Sequence, residues 1–340
     1  MDKVRFGIIG CGVISSFHAR AIADIEEAEL YGCVDAYAPS AERFAKEHGV
    51  KQYASLEEML SDPAIDAVTI CTPSGLHTQQ AIAAMRAGKH VVCEKPMSLT
   101  LEQADELIRT ANETGVKVCI ISQFRFTPAV QAVKKAIEAG ALGKIVSGSL
   151  QMKYFRSDEY YASGAWRGTW AMDGGGCLMN QGIHGVDVFR YLMGPGKQLT
   201  GFARTQLRHI EVEDSAAAAL EFENGAVGTL EGSTVCSPGY PRRIEICGDK
   251  GSCVLEENAI IRWDVPGYDI GLPVGVAATN VASSDPKAID VSNHTRQFRN
   301  FVAAVLHGEE LLAPAESGRP PLEIILGIYE SSKTGKPVTF

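Results

Sequence analysis

Three groups of residues in this chain have the types and spacing to do chemistry. Gly10-Cys11-Gly12-Val13-Ile14-Ser15 follows the apolar run that begins at Val4. Its first two glycines permit a tight turn and close approach to a pyrophosphate, and the helix that begins there offers unpaired N–H groups and a positive dipole end. Glu94-Lys95-Pro96 follows the apolar run His90-Val91-Val92-Cys93. A lysine just past such a strand projects from the carboxyl edge of a parallel sheet, where open α/β sheets bind ligands, and in a dinucleotide-binding unit that is where a nicotinamide should lie. Pro96 disfavours helical dihedrals at Lys95 and lacks a backbone donor, which gives the ammonium a stiff, extended support.

The third group is Asp173-Gly174-Gly175-Gly176 leading into Asn180, His184 and Asp187. Successive glycines let a backbone approach a ligand closely. Asn180, His184 and Asp187 are four and three apart, which on a helix is one polar face, separate from an apolar stripe of Ile183, Val186, Phe189 and Met193. Oxidising an alcohol needs a base that releases its proton near neutral pH, and His184 suits that role. Asp187 would then orient His184 or hold a substrate hydroxyl; the plainer alternative is that the two only fix the helix. Asn180 is a poor zinc ligand and no three-ligand metal set is visible, so Lys95 supplies the cation.

Asp35 closes the second strand and fits the acceptor for the adenosine ribose hydroxyls, although it could merely cap a turn. Its carboxylate repels a 2′-phosphate and Ala36-Tyr37-Ala38 brings no arginine to compensate, which favours NAD over NADP. Thr72-Pro73-Ser74 forms a further loop over the cofactor crevice. His77 either touches the cofactor or packs there. Tyr154, Arg156, Tyr160, Tyr161, Trp166, Arg167 and Trp170 surround the approach to the glycine run. Aromatic faces stack on sugars and arginines hold hydroxyls or acidic groups, so Arg156 and Arg167 could select an acidic or phosphorylated substrate.

The elements that must carry these residues can be read from periodicity. Through about residue 122, apolar runs at 3–9, 28–35, 66–71, 90–93 and 117–122 alternate with helical segments near 13–24, 39–48, 76–87 and 100–114, the pattern of a doubly wound parallel sheet. Ser55 and Glu58 form a capping box, and Gly88 and Gly115 stop helices. After Thr127-Pro128 and a helix to about 139, longer strands are expected at 144–156, 198–209, 214–223, 226–237, 242–247 and 252–263. Glu223-Asn224-Gly225 is expected to form a type I′ hairpin turn. The second domain therefore reads as a largely antiparallel sheet with helices on one face, closed by helices at about 294–307 and 320–333. The division expected is 1–122 and 123–340. The weakly periodic stretch 264–290 reads as a lid, an oligomer arm or a mobile segment.

The 340 residues carry a formal charge of −9 and no basic run, which argues against a nucleic-acid surface. No run approaches the ~20 apolar residues of a membrane span. Met1-Asp2-Lys3 passes directly into the first strand without a signal peptide, so a cytoplasmic protein is expected. There are nine cysteines without any Cys-x-x-Cys; Cys33, Cys71, Cys93 and Cys119 fall near the ends of expected strands, where cysteine behaves as a buried small hydrophobe.

The glycine turn, Glu94-Lys95-Pro96 and the glycine run before Asn180 and His184 together resemble the glucose-fructose oxidoreductase / inositol dehydrogenase (Gfo/Idh/MocA) family along essentially the whole chain. The resemblance implies a Rossmann domain followed by an α/β domain with a large open sheet, used for dimer or tetramer contacts. It implies that Lys95 contacts the reacting hydroxyl and the nicotinamide ribose, that His184 is the acid/base, and that Gln123 and Arg125, in Gln123-Phe124-Arg125-Phe126, meet cofactor or substrate. Inositol dehydrogenases carry aspartate where this chain has Asn180, which is similar to nucleotide-sugar and glycoside 3-dehydrogenase branches. The residues expected to hold the cofactor are Gly10, Cys11, Gly12, Val13, Ile14, Asp35, Thr72, Pro73, His77, Glu94, Lys95, Gln123 and Arg167. Those expected on the substrate are Asn180, Asp187, Arg125, Tyr154, Arg156 and Trp166. The activity expected is NAD-dependent oxidation of a secondary ring hydroxyl of a sugar, sugar derivative or cyclitol. The alternatives are a glycosidase that oxidises transiently with tightly bound NAD, and a non-catalytic NAD-responsive regulator.

Overall fold

A computed structural model describes residues 2–275 and 291–340. The chain divides into two compact units, Met1–Gln123 with Asp290–Arg319, and Phe124–Ile289 with Pro320–Phe340.

In the first unit the short apolar runs form strands buried on both faces, as parallel sheets flanked by helices require. The strands are β1 (Val4–Ile9), β2 (Ala28–Val34), β3 (Lys51–Gln52), β4 (Ala67–Ile70), β5 (His90–Cys93) and β6 (Val118–Ile120). Between them lie α1 (Val13–Ala23), α2 (Ala38–His48), α3 (Leu56–Ser61), α4 (His77–Arg86) and α5 (Leu101–Thr114). The sheet order is β3-β2-β1-β4-β5-β6, with every neighbouring pair parallel. The order reverses between β1 and β4, the switch point at which such sheets bind ligands, so the loops after β1, β4 and β5 share one edge. The Ser55 hydroxyl accepts the Glu58 N–H at 3.1 Å, while the Glu58 carboxylate accepts from Ala54 at 2.8 Å, one residue before the usual partner of a capping box. Cys33, Cys71, Cys93 and Cys119 are buried free thiols, as their strand-end positions imply.

The second unit contains α6 (Pro128–Glu138), α7 (Asp158–Ala162) and α8 (Ile183–Met193). Its strands are β7 (Ile145–Lys153), β8 (Gly196–Arg204), β9 (Ser215–Phe222), β10 (Val227–Ser233), β11 (Arg243–Gly248), β12 (Ser252–Glu256) and β13 (Ala259–Asp264). With β14 (Val338–Thr339) they form one sheet in the order β13-β12-β11-β7-β10-β9-β8-β14, antiparallel except for β7 beside β10. Alternate residues face a core in which Phe189 of α8 meets Phe222 edge to face, with ring centroids 5.7 Å apart. The strand expected over 252–263 is two, because the chain reverses at Glu257, which has φ of 47°. The hairpin after β9 is not type I′. Gly225 has positive φ, Asn224 does not, and the Gly225 N–H closes on the Phe222 carbonyl at 2.9 Å. That is a three-residue connection with glycine in the left-handed position, held by Asn224, whose side chain donates to the Met193 carbonyl and accepts from Ala226.

Two helices precede β14, α9 (Ser292–His307) and α10 (Arg319–Thr334). The division at 122/123 placed both in the second domain, but α9 returns to the first unit. Phe298 and Phe301 lie 5.7 and 5.9 Å from the Phe6 ring of β1. An apolar stripe shows that a helix is buried, not against which sheet. Residues 276–290, most of the stretch read as a lid or arm, lie outside the described residues. Among the described residues no helix is long and apolar enough to cross a membrane.

Candidate active site

The glycine turn is built by exclusion of side chains. Gly10 has φ of +92°, and a Cβ there would stand 2.9 Å from the Cys71 carbonyl. Gly12 has open space where a side chain would be, and it leads into α1 without a side-chain cap or an acidic residue in the first turn. Exposed N–H groups at a helix end without competing negative charge suit a pyrophosphate. Val13, at the start of that helix, is exposed, and Ile14 packs against the cluster around Ile8 and Cys33. The Asp35 carboxylate accepts the Cys11 and Tyr37 N–H groups, each at 2.7 Å. It therefore caps the glycine turn from the end of β2. These features fit a dinucleotide held by the turn, the start of α1 and Asp35.

Around Lys95 the backbone is held from two sides. Glu94 is buried; one oxygen meets the His18 Nε2 at 3.0 Å and the other accepts the Lys95 N–H at 3.1 Å. The Lys95–Pro96 peptide is cis and the Lys95 side chain is half-buried. Of the two readings of His77, packing is what the geometry shows. The ring is buried, with Nδ1 2.7 Å from the Pro96 carbonyl and Nε2 2.9 Å from that of Thr72. The Thr72 hydroxyl donates to Gln80 at 2.6 Å. Pro73 leads the short turn Ser74–Leu76 into α4, and Gln123 is buried at the end of the unit.

Sequence reasoning missed His18. It is fully buried, bonds Thr69 Oγ1 at 2.7 Å through Nδ1, and lies with Glu94 and His294 in a group whose ligand-type atoms are all within 4.8 Å of one another. Residues so far apart along the chain give no spacing signal, and this group is the one set among the described residues that could hold a metal ion. Burial works against a charge on His18, but the Cys71 thiol and the Glu94 carboxylate beside it prevail and raise it to about 10. Burial likewise opposes the charge on Glu94, and His18 holds it well below the usual carboxylate range.

In the second unit, residues Cys177–Gly182 form a wide π-helical turn leading into α8. Asp187 does not join Asn180 and His184 on an outward polar face. It is buried in a two-pronged ion pair with Arg125, whose Nε lies 2.8 Å from Asp187 Oδ2 and whose other prong reaches Oδ1. The Arg125 guanidinium also lies over Tyr191, 5.0 Å from the ring centre. His184 is half-buried and meets Phe124 edge to face at 5.2 Å; Arg242, held by Glu257, covers that phenyl ring at 4.1 Å.

Asn180 donates to the buried Asp173 and accepts from Gln181 at 3.0 Å. Gln181 also donates to the Tyr160 hydroxyl at 2.6 Å and accepts from Arg156 at 2.9 and 3.2 Å. Arg167 donates to the same hydroxyl at 2.6 Å, with its guanidinium over Tyr160 and Trp166 at 4.4 and 4.5 Å. The structure thus gathers Asn180, Arg156, Trp166 and Arg167 in one polar network; Tyr154 is buried beside Arg156, whose guanidinium lies 5.8 Å from its ring. Asp173, Gln181 and Tyr160 complete the network; Tyr160 is one of the aromatics expected around the approach to the glycine run, whereas Asp173 and Gln181 carry no separate signal in the sequence.

The glycine run serves the protein's own packing. A Cβ on Gly176 would fall 1.8 Å from the Glu213 carbonyl oxygen, and one on Gly175 would fall 2.3 Å from the Tyr329 hydroxyl. Glu213 accepts the N–H groups of Gly176 and Leu178 and the Tyr329 hydroxyl, each at 2.8 Å. Its burial raises the carboxyl above the ordinary range.

A doubly wound unit with a glycine turn and a carboxylate after its second strand, followed by a unit built on one large, mostly antiparallel sheet, defines a class of dinucleotide-dependent oxidoreductases. The chain belongs to the Gfo/Idh/MocA family: residues 4–122 match its NAD-binding Rossmann fold and residues 130–254 its C-terminal domain. It is 32% identical over 261 residues to scyllo-inositol 2-dehydrogenase (NAD(+)) of Bacillus subtilis, covering 74% of each chain. It is 30% identical over 281 residues to myo-inositol 2-dehydrogenase of Thermotoga maritima, covering 78% of this chain and 79% of that one. The WlbA dehydrogenase of Bordetella pertussis, solved with NADH and UDP-GlcNAcA, superposes with a TM-score of 0.90 at 31% identity, covering 99% of this chain and 98% of that one. The protein is an NAD-binding oxidoreductase.

Proposed function

We propose that the protein oxidises a secondary ring hydroxyl of an acidic, nucleotide-linked sugar. The observation that carries this reading is the pair Arg156 and Arg167, both joined to Gln181 or Tyr160 in the network that also holds Asn180. Guanidinium groups fixed in this way are suited to a carboxylate or phosphate. The likeness to WlbA, solved with UDP-GlcNAcA, supports the same substrate class, and the inositol dehydrogenase relatives support a ring alcohol in general.

NAD, when bound, supplies the hydride acceptor; the turn at Gly10 and Gly12, the start of α1 and Asp35 would hold it. His184 takes the hydroxyl proton as the carbinol carbon is oxidised. Lys95 presents its ammonium to the oxygen and steadies the negative charge that develops there. Asn180, with its amide oriented by Asp173 and Gln181, positions a neighbouring ring hydroxyl. Arg125 and Asp187, engaged with each other, brace the start of the second unit against α8. The exposed face of the large sheet supports self-association into a homodimer or homotetramer.

The test is NADH formation with UDP-GlcNAcA, free uronic acids, neutral monosaccharides, glycosides and inositols, each with NAD and NADP in parallel. NAD-dependent turnover with UDP-GlcNAcA at a kcat/KM at least tenfold above the inositols is expected. Equal or better turnover with inositols would overturn the acidic-sugar assignment.

A further inference from the structure

Lys95 stands between Glu94 and Pro96 on the loop after β5, and two buried histidines of the first unit bear on its two sides. Glu94 continues β5 by donating its N–H to the Ile70 carbonyl at 3.1 Å. Its carboxylate divides between His18 and the Lys95 N–H, and His18 is itself tied by Nδ1 to Thr69 on β4. On the other side of Lys95, His77 of α4 stands between the Pro96 and Thr72 carbonyls, so the loop after β5 is tied to the loop after β4. Both histidines are buried at 1% exposure or less. Each holds one end of the same turn.

We propose that His18 and His77 are positioning residues for Lys95. His18 fixes the Glu94 carboxylate that accepts the Lys95 N–H, and His77 anchors the Pro96 carbonyl. For a role in turnover this rests on the Lys95 assignment made above; as a statement about how Lys95 is held it stands separately. Titratable groups bearing on this scaffold are Cys71 from the end of β4, Glu94 and Lys95 from the end of β5, and His294 from α9. A lysine offered on a flexible turn would sample many positions, and misplacement by about 1 Å can cost on the order of 100-fold in rate.

Two readouts test the proposal. The first needs no substrate: lysines of the intact protein are acetylated under limiting reagent and the rate at Lys95 is read by mass spectrometry against exposed Lys46. His18→Gln and His77→Gln should each shift the Lys95 rate relative to Lys46 by at least about threefold. Thr69→Val, which leaves His18 Nδ1 only the Cys71 thiol at 3.3 Å and does not unpair Glu94, should shift it in the same direction by less and serves if His18→Gln does not fold. A Lys95 rate within a factor of two of wild type in the folded variants would overturn the proposal. The second readout is a cycle on kcat with UDP-GlcNAcA, with melting temperature followed throughout. His77→Gln should lower kcat about tenfold in the wild-type background and less than threefold in the Lys95→Ala background, with the same loss of melting temperature in both. Equal loss of kcat in both backgrounds marks a general structural role and overturns the positioning role. Full activity of Lys95→Ala would instead sink the Lys95 assignment, while the labelling result continues to decide how the turn is held.

Discussion

At the scale of single residues, the chemistry proposed for this enzyme rests on few side chains. General acid/base assistance is worth about 10²–10⁴-fold, so Lys95→Ala and His184→Ala are each expected to lower kcat by at least about 100-fold while NADH binding, followed by nicotinamide fluorescence, stays within about fivefold. Retained turnover in either variant would remove that residue from the mechanism. Lys95 could be found in the sequence because its strand, its proline and its distance from the glycine turn are all local. Its support could not, because His18, Thr69 and Glu94 come together only when two strands and a helix pack. Gly176 makes the complementary case. The sequence marks a position where a side chain is not tolerated but cannot name the neighbour, which proves to be the Glu213 carbonyl. Gly176→Ala would drive a Cβ into that carbonyl and weaken the Cys177 N–H bond to it, at a cost of about 2–3 kcal/mol, measured by chemical denaturation. A melting temperature equal to wild type would show that the run closes around something other than Glu213.

At the scale of elements, β4, β5 and α1 are joined by the His18–Glu94 ion pair, and this leaves a signature in pH. In the unfolded chain His18 has its ordinary value near 6.5, and in the fold it is raised to about 10. The stabilisation from His18 is therefore complete below about 6.5 and is lost as pH rises through the folded value, because the unfolded chain releases its proton first. Glu94, held low in the fold, contributes above its unfolded range near 4.5 and loses that contribution in acid. Between pH 7 and 9 the wild-type unfolding free energy should fall more steeply than that of His18→Gln, by up to about 1.4 kcal/mol per pH unit, the slope of one proton. Parallel curves for the two proteins would mean that His18 carries no extra proton in the folded state. Breaking one side of a buried pair typically costs about 3–5 kcal/mol, so the variant should be compared where both proteins are folded. Elements were legible to the degree that their signals were local. Five of the six parallel strands of the first unit match expectation within a residue or two, because apolar runs and helix caps are contiguous; β3, two exposed polar residues, has no apolar run to mark it. The reversal at Glu257 was hidden by apolar residues on both sides, and α9 was assigned to the wrong unit because its stripe does not name its partner.

At the scale of the whole molecule, what can be argued without a bound partner is the face that the large sheet leaves open. The register fixes its composition. Thr200 of β8 lies opposite Ala219 of β9, which pairs with Thr229 of β10, then Ser149 of β7 and Glu245 of β11. In the next row Phe202 pairs with Ala217, and Phe202 is 63% exposed. The Phe202 row continues through Ala217 to Glu231 of β10 and Gln151 of β7, so the small, uncharged residues Thr200, Ala219, Thr229 and Ser149 form a patch with charged residues along its border. Such a surface is suited to a second copy of itself, because an isologous contact brings the same small residues together about a two-fold axis without crowding. We therefore expect a dimer or larger assembly by sedimentation at micromolar concentration. Ala219→Arg, which places a buried charge near the centre of the contact and opposes it to its own copy, should shift the protein toward monomer while leaving NADH affinity within about threefold. A wild-type monomer, or an assembly untouched by Ala219→Arg, would mean that this face has another role. In the run of alanines at 216–219, Ala216 and Ala218 face the core and Ala217 and Ala219 the open side, and these two are the trace of that face in the sequence. Alanines on one strand become a surface only through the register of its neighbours, which the sequence does not carry.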